Sequence, residues 1–233
     1  MKIKAYGYKG TARIVGILYI IGTLAGILST SFLGIRNEAD YLVKIAENPN
    51  SLIIGAMFVL LMGFALALIP AFMFPVLKQH SEIAGVGYII FRGGLETCAN
   101  IINVICYLAL SALGAAYAAG ADLTQLLGAG AALKAIITPS INTFAFGIGA
   151  LIFYMALYKY NLIPKWISVF GFIAVLLHIA SGVLVLFGLQ EPFDTGSMIM
   201  NLPIAVQEMV MAVWLIVKGF READTTAVCR GDS

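Results

Sequence analysis

The chain has 233 residues, 61% of them hydrophobic and 11% charged, with a formal net charge of +2. Soluble globular domains carry roughly 25% charged residues, so this composition points to a membrane protein. The net charge is small and no block of like charges forms a binding arm, which argues against a nucleic-acid partner.

Long apolar stretches alternate with short polar ones along the chain. About 20 apolar residues, rising about 1.5 Å each, cross a hydrocarbon core of roughly 30 Å. By that measure six spans are predicted, at about 12–33, 51–77, 84–116, 137–158, 164–188 and 198–217. The expected fold is an all-α polytopic bundle forming one domain over 1–220, followed by a disordered tail over 221–233. The lysines ahead of the first span imitate a signal peptide, but that span is long and no clear small-x-small cleavage site follows it, so it reads as a retained helix. Six spans place both termini on one side. Ten Lys and Arg residues fall in segments on that side: Lys2, Lys4, Lys9, Arg13, Lys78, Lys159, Lys165, Lys218, Arg221 and Arg230. Only Arg36, Lys44 and Lys134 fall on the other, and Arg92 lies within the third span. This bias predicts cytoplasmic termini and a place in the cell membrane.

The loops differ in character. In "GIRNEADYLVKIAENPN", Tyr41, Leu42 and Ile45 recur at helical spacing among charges, as in a short amphipathic helix lying at the interface. "GADLTQLLGAGAALKAI" reads as a helix capped by Asp122, and either segment could cover an external entrance. In "NLIPKWIS", Pro164 opens a helix beside an interfacial Trp166. Cys98, Cys106 and Cys229 share no metal-ligand spacing, and the first two read as small buried apolar residues. Pro70, Pro75, Pro139 and Pro203 each free a backbone carbonyl within a span, and Pro203 lies five residues before Glu208. Gly22 and Gly26 form a small-xxx-small pair suited to close packing, within one chain or between two copies of a homo-oligomer.

The start "TARIVGILYIIGTLAGILS", the loop "NLIPKWIS" and the end "NLPIAVQEMVMAVWLIVKGF" resemble a family of bacterial and archaeal multi-pass membrane proteins known as domain of unknown function 4386. The resemblance runs from about Thr11 to Phe220. It implies a six-span membrane fold and brings no catalytic residues, so function rests on site chemistry.

That chemistry centres on the third span. On a helical wheel of about 100° per residue, Arg92, Glu96, Asn100, Asn103 and Tyr107 fall within about 80° of arc and form one polar stripe. A charged residue at mid-membrane costs on the order of 2.5 to 3.5 kcal/mol on insertion scales, so the stripe must face protein or water. Arg92 lies about 12 Å and Glu96 about 18 Å in from the cytoplasmic end. At similar depth the fifth span offers His178 and the sixth offers Glu208, with Asn201 one heptad earlier. Gly171 and Gly182 share the His178 face and permit close helix approach. Glu208 has no basic partner on its own helix and must meet Arg92, His178, a cation or a proton.

Two readings compete. Arg92 and Glu96 could form a self-neutralising pair while the asparagines join helices; or the stripe, with His178, Asn201 and Glu208, lines a polar cavity or ion path. The first functional expectation is a small-solute or proton-coupled transporter or conductance pathway. The alternative is a non-transporting sensor that binds a lipid, a small molecule or a partner helix. Enzyme signatures such as "HExxH", "CxxC", "GxSxG" and a Walker loop are absent, leaving a carboxylate enzyme built on Glu96 and Glu208 as the weakest reading. No metal site and no cofactor are expected. The terminal "RGDS" falls in the predicted cytoplasmic tail, which argues against cell adhesion.

Overall fold

The computed structural model describes residues 8–137, 140–192 and 194–221. Within them every regular element is helical. Helix α1 covers Tyr8–Leu33 and runs into a tight 3-10 turn, Gly34–Asn37; α2 is Tyr41–Glu47 and α3 is Asn50–Lys78. The third long helix is continuous from 82 to 118 but has three parts: α4 at Glu82–Tyr88, a π-helical segment at Ile89–Leu95, and α5 at Glu96–Ala118. After these come α6 at Leu123–Ile136, α7 at Ser140–Lys159, α8 at Lys165–Leu186 and α9 at Thr195–Val217.

Five of the described helices are long and apolar enough to cross a membrane: α1 with its 3-10 turn, α3, the 82–118 helix, α8 and α9. α7 is 20 residues long and packs between the 82–118 helix and α8. The outward faces are apolar, with Ile17, Leu24, Ile27, Phe64 and Leu108 all exposed. An apolar surface of that extent is the signature of a lipid-facing wall. Pro139, Cys229 and the predicted tail, "RGDS" included, lie outside the described residues, apart from Arg221.

Local chemistry sets the helix ends. Ser81 Oγ accepts from Ala84 N–H at 3.2 Å to start α4, Asp122 Oδ1 from Gln125 N–H at 3.0 Å to start α6, and Asp194 Oδ1 from Ser197 N–H at 2.6 Å to start α9. Gly120 and Gly188, both at positive φ, follow α5 and α8, where a left-handed residue ends a helix most easily. Pro164 immediately precedes α8. Pro70, Pro75 and Pro203 all lie inside unbroken helices.

The six long helices close into a ring, each packing on its neighbours in chain order, with α9 returning to α1. One face of the ring carries the start of α1 and the end of α9. There Gln79 hydrogen-bonds Tyr8, His80 stacks on Tyr160 at 4.8 Å, and Arg221 N–H donates to Leu162 O at 2.8 Å. On the opposite face Ser51 Oγ donates to Phe32 O at 2.8 Å and Ser111 Oγ to Pro49 O at 3.2 Å.

Two expectations are corrected. The α2 helix forms, but Tyr41, Leu42 and Ile45 are buried in an apolar cluster with Leu110 and Cys106 of α5, so its apolar side is covered by protein. Cys98 is exposed, while Cys106 is buried. The Gly22–Gly26 face is occupied within the chain: a side chain at Gly22 would lie 2.8 Å from Leu66, and one at Gly26 would lie 3.0 Å from the Met62 sulfur, both on α3.

Candidate functional site

Arg92 sits in the π-helical segment, and its surroundings explain its reach to the ring centre. A side chain at Gly149 of α7 would come within 3.1 Å of Arg92 N, and one at Gly93 within 3.3 Å of the Pro70 ring of α3. Glycine at both positions lets two neighbouring helices press against the widened turn. A π turn takes more residues than an α turn, so the regular wheel drawn for 84–116 does not hold through 89–95.

Its guanidinium joins two carboxylates. Nη1 lies 3.2 to 3.3 Å from the Glu96 oxygens and Nη2 lies 3.0 Å from Glu208 Oε1. Its flat face lies 4.5 Å from the Phe146 ring centroid, with Tyr19 at 5.9 Å. Tyr19 and Tyr88 share a hydrogen bond at 3.1 Å beneath this layer. The side chains of Arg92 and Glu96 are 2% and 6% exposed and that of Glu208 is 14% exposed, so Glu208 is the least enclosed member. With both carboxylates ionised the triad carries one negative charge that the guanidinium does not balance. A proton or a cation would balance it.

One turn along α5, Asn100 Oδ1 accepts from Asn142 Nδ2 of α7 at 3.3 Å. Asn100 Nδ2 and Asn142 Oδ1 are buried with no hydrogen-bond partner. Beside them lies a cavity of about 390 Å³, bounded by α1, α3, α5 and α7. Asn103, Tyr107, Ser29, Thr30 and Arg36 contribute to its wall, and exposed Gly34 and Asn37 mark where it reaches the face opposite the chain ends. Arg36 donates to Leu33 O at 3.0 Å and lies over the Tyr107 ring at 5.2 Å.

A third polar cluster joins α8 to α9. His178 Nδ1 lies 2.6 Å from Asn201 Oδ1, and Asn201 Nδ2 donates to Ser197 Oγ at 3.3 Å and Ser181 Oγ at 3.4 Å. Because the Asn201 oxygen is an acceptor, Nδ1 of His178 carries the proton. His178 meets Phe146 edge-on at 4.9 Å. Phe146 therefore touches both His178 and Arg92, while the hydrogen bond of His178 goes to Asn201 and not to the triad. Asn201 and Glu208 share α9 but serve different clusters.

Sequence reasoning placed Glu96, His178 and Glu208 in roughly one layer; the structure brings Glu96 and Glu208 together on Arg92 and puts His178 in a separate cluster. It missed Tyr19, Tyr88, Phe146 and Asn142, and also Gln207, which is fully buried, accepts from Tyr154 at 2.6 Å and donates to Ile167 O at 3.2 Å. Asn142 and Gln207 were legible as polar residues inside apolar runs. The aromatic residues were not, since nothing separates them from ordinary core. Among the described residues no group of three or more His, Cys, Asp or Glu side chains is arranged to hold a metal ion.

A family whose description reads "Domain of unknown function (DUF4386)" matches residues 14–219. No curated protein and no solved structure matches the chain.

Proposed function

The chain belongs to the DUF4386 family of unknown function, and from that premise we propose that it is a membrane transporter or conductance pathway for a small solute, coupled to protons. The observation that carries this reading is the triad. Two carboxylates share one guanidinium in an apolar layer, where isolated charge is expensive and buried ionisable groups are functional by default. Glu96 and Glu208 are the proton-exchanging pair, and Glu208, the less enclosed, is where the proton arrives. Arg92 is the fixed countercharge that keeps both carboxylates in place. The cavity beside Asn100 is the solute side of the site, one helical turn or about 6 Å of rise from Glu96.

In this reading α7 also crosses the membrane, as the fourth of six spans in chain order, both termini are cytoplasmic, the membrane is the cell membrane, and the cavity opens outward. Residues 1–220 act as one transmembrane domain. The triad is closed over its ion pairs and the cavity stops at Asn100, an arrangement that suits an outward-open state of an alternating-access cycle.

Reconstitution into liposomes holding a pH-sensitive dye tests it. Wild-type protein should raise proton uptake under an imposed potential, and Glu96→Gln and Glu208→Gln should each remove most of that uptake while the protein remains folded in detergent. Uptake unchanged by both substitutions would sink the assignment. The tight packing around Arg92 favours a second reading, a non-transporting protein that binds a lipid, small-molecule or protein partner. Ligand binding with no flux in the same liposomes would select it.

A further inference from the structure

We propose that the cavity beside Asn100 is a binding site for a small uncharged solute with an amide-like face, one hydrogen-bond donor beside one acceptor. This deepens the reading above by naming the solute class at its cavity.

The argument begins with two unfinished amides. Asn100 is 3% exposed, and its Nδ2 has no partner; Asn142 Oδ1 is likewise buried and unpartnered. The single bond between them uses only Asn142 Nδ2 and Asn100 Oδ1. Turning both amides over exchanges the atoms but still leaves one donor and one acceptor open. A buried amide group without a partner is expensive, so native structures rarely leave two side by side unless something completes them. Both are held at one level of neighbouring helices, at the wall of a cavity of about 390 Å³.

That volume lies within the range of small-ligand pockets and far exceeds the roughly 30 Å³ of a single water. Arg36 is the one charged side chain of the wall, and it is engaged with Leu33 O and the Tyr107 ring. Ser29 and Thr30 donate their hydroxyl protons to Gly26 O and Ile27 O of their own helix, so their oxygens face a guest as acceptors. Asn103 adds a further amide, and no Asp or Glu contributes to the wall. A cation therefore meets no carboxylate there. With the Asn100 and Asn142 amides turned toward the cavity, a planar amide or urea group would satisfy the open donor of Asn100 and the open acceptor of Asn142 together.

Purified full-length protein in lipid nanodiscs provides the test, with nicotinamide and uracil as amide-type probes and acetate and tetramethylammonium as charged controls. Binding is read at equilibrium by thermal stabilisation and calorimetry, with no need of flux. An amide-type probe should bind at least tenfold more tightly than either control. Asn142→Leu should weaken it at least tenfold. Should that variant fold poorly, Asn103→Phe serves instead: Asn103 makes no side-chain hydrogen bond among the described residues, and a phenyl ring there fills the cavity while leaving Asn100 and Asn142 intact. Equal affinity for probes and controls, no binding of any probe, or binding unaffected by Asn103→Phe would each overturn the proposal. Probe binding without proton flux would remove the transport reading and leave this inference standing. Flux that depends on Glu96 in a protein that binds neither probe would do the reverse.

Discussion

At the scale of single residues, the decisive side chain is Arg92, because it alone touches Glu96, Glu208, Phe146 and Tyr19. Breaking a buried ion pair by removing one partner typically costs about 3 to 5 kcal/mol, since the remaining charge is left unsolvated. Arg92→Met leaves two carboxylates facing each other across the ring and should lower the midpoint of thermal unfolding in detergent sharply. Adding Glu96→Gln and Glu208→Gln to that variant should restore most of the loss, because no charge is then stranded. If Arg92→Met alone unfolded at the wild-type midpoint, the triad would not be an energetic unit. Arg92→Lys should be intermediate: an ammonium keeps the charge but lacks the planar fork that meets carboxylates on two helices at once. The pairing of Arg92 with Glu96 was legible from their spacing. The pairing with Glu208 was one of several options, since two residues 116 positions apart meet only through the fold.

At the scale of elements, the caps and the π segment do most of the positioning. Asp194 starts the helix that carries Asn201, Gln207 and Glu208. Its carboxyl is held below the ordinary aspartate range by the backbone N–H of Ser197, with the Gln190 side chain adding to the effect. A depressed folded-state value means that the cap's contribution is complete above the ordinary aspartate pKa and fades as pH falls through the lower folded value. The thermal midpoint of Asp194→Ala should therefore lie below wild type at neutral pH and converge with it on acidification. Asp194→Asn, which keeps an oxygen acceptor, should show a smaller deficit with less dependence on pH. A deficit for Asp194→Ala that stayed constant down to strongly acidic pH would rule out a charged cap. The Asp122 cap was readable directly from its sequence. The π segment was not: "IIFRGGL" has no distinctive period, and its widened turn reflects Gly93 against Pro70 and Gly149 against Arg92, contacts supplied by other helices.

At the scale of the whole molecule, the ring order keeps helices that follow one another in the chain adjacent, across turns as short as 79–81 and 160–164 and also where α2 or α6 is inserted between them. The proposed topology makes a direct prediction. In a cysteine-free background that retains function, Gln79→Cys should react with an impermeant thiol reagent only in inside-out vesicles, and Glu38→Cys and Asp122→Cys only in intact cells. Labelling of Gln79→Cys and Glu38→Cys from the same side would overturn the six-span arrangement.

Composition, hydropathy and the spacing of polar residues were sufficient to determine that this is a helical membrane protein, that Arg92 and Glu96 lie on a common face, and that Glu208 needs a partner. These properties are local, fixed by the thickness of a bilayer and the geometry of one helix. Only the tertiary structure decided that Glu208 meets Arg92, that Phe146 lies against both Arg92 and His178, and that Asn100 and Asn142 leave one donor and one acceptor beside a cavity. Hydropathy gives the depth of a residue and periodicity its face, but neither states which helices touch. That choice is made by packing, where Gly149 admits the backbone of Arg92 and Gly22 admits Leu66.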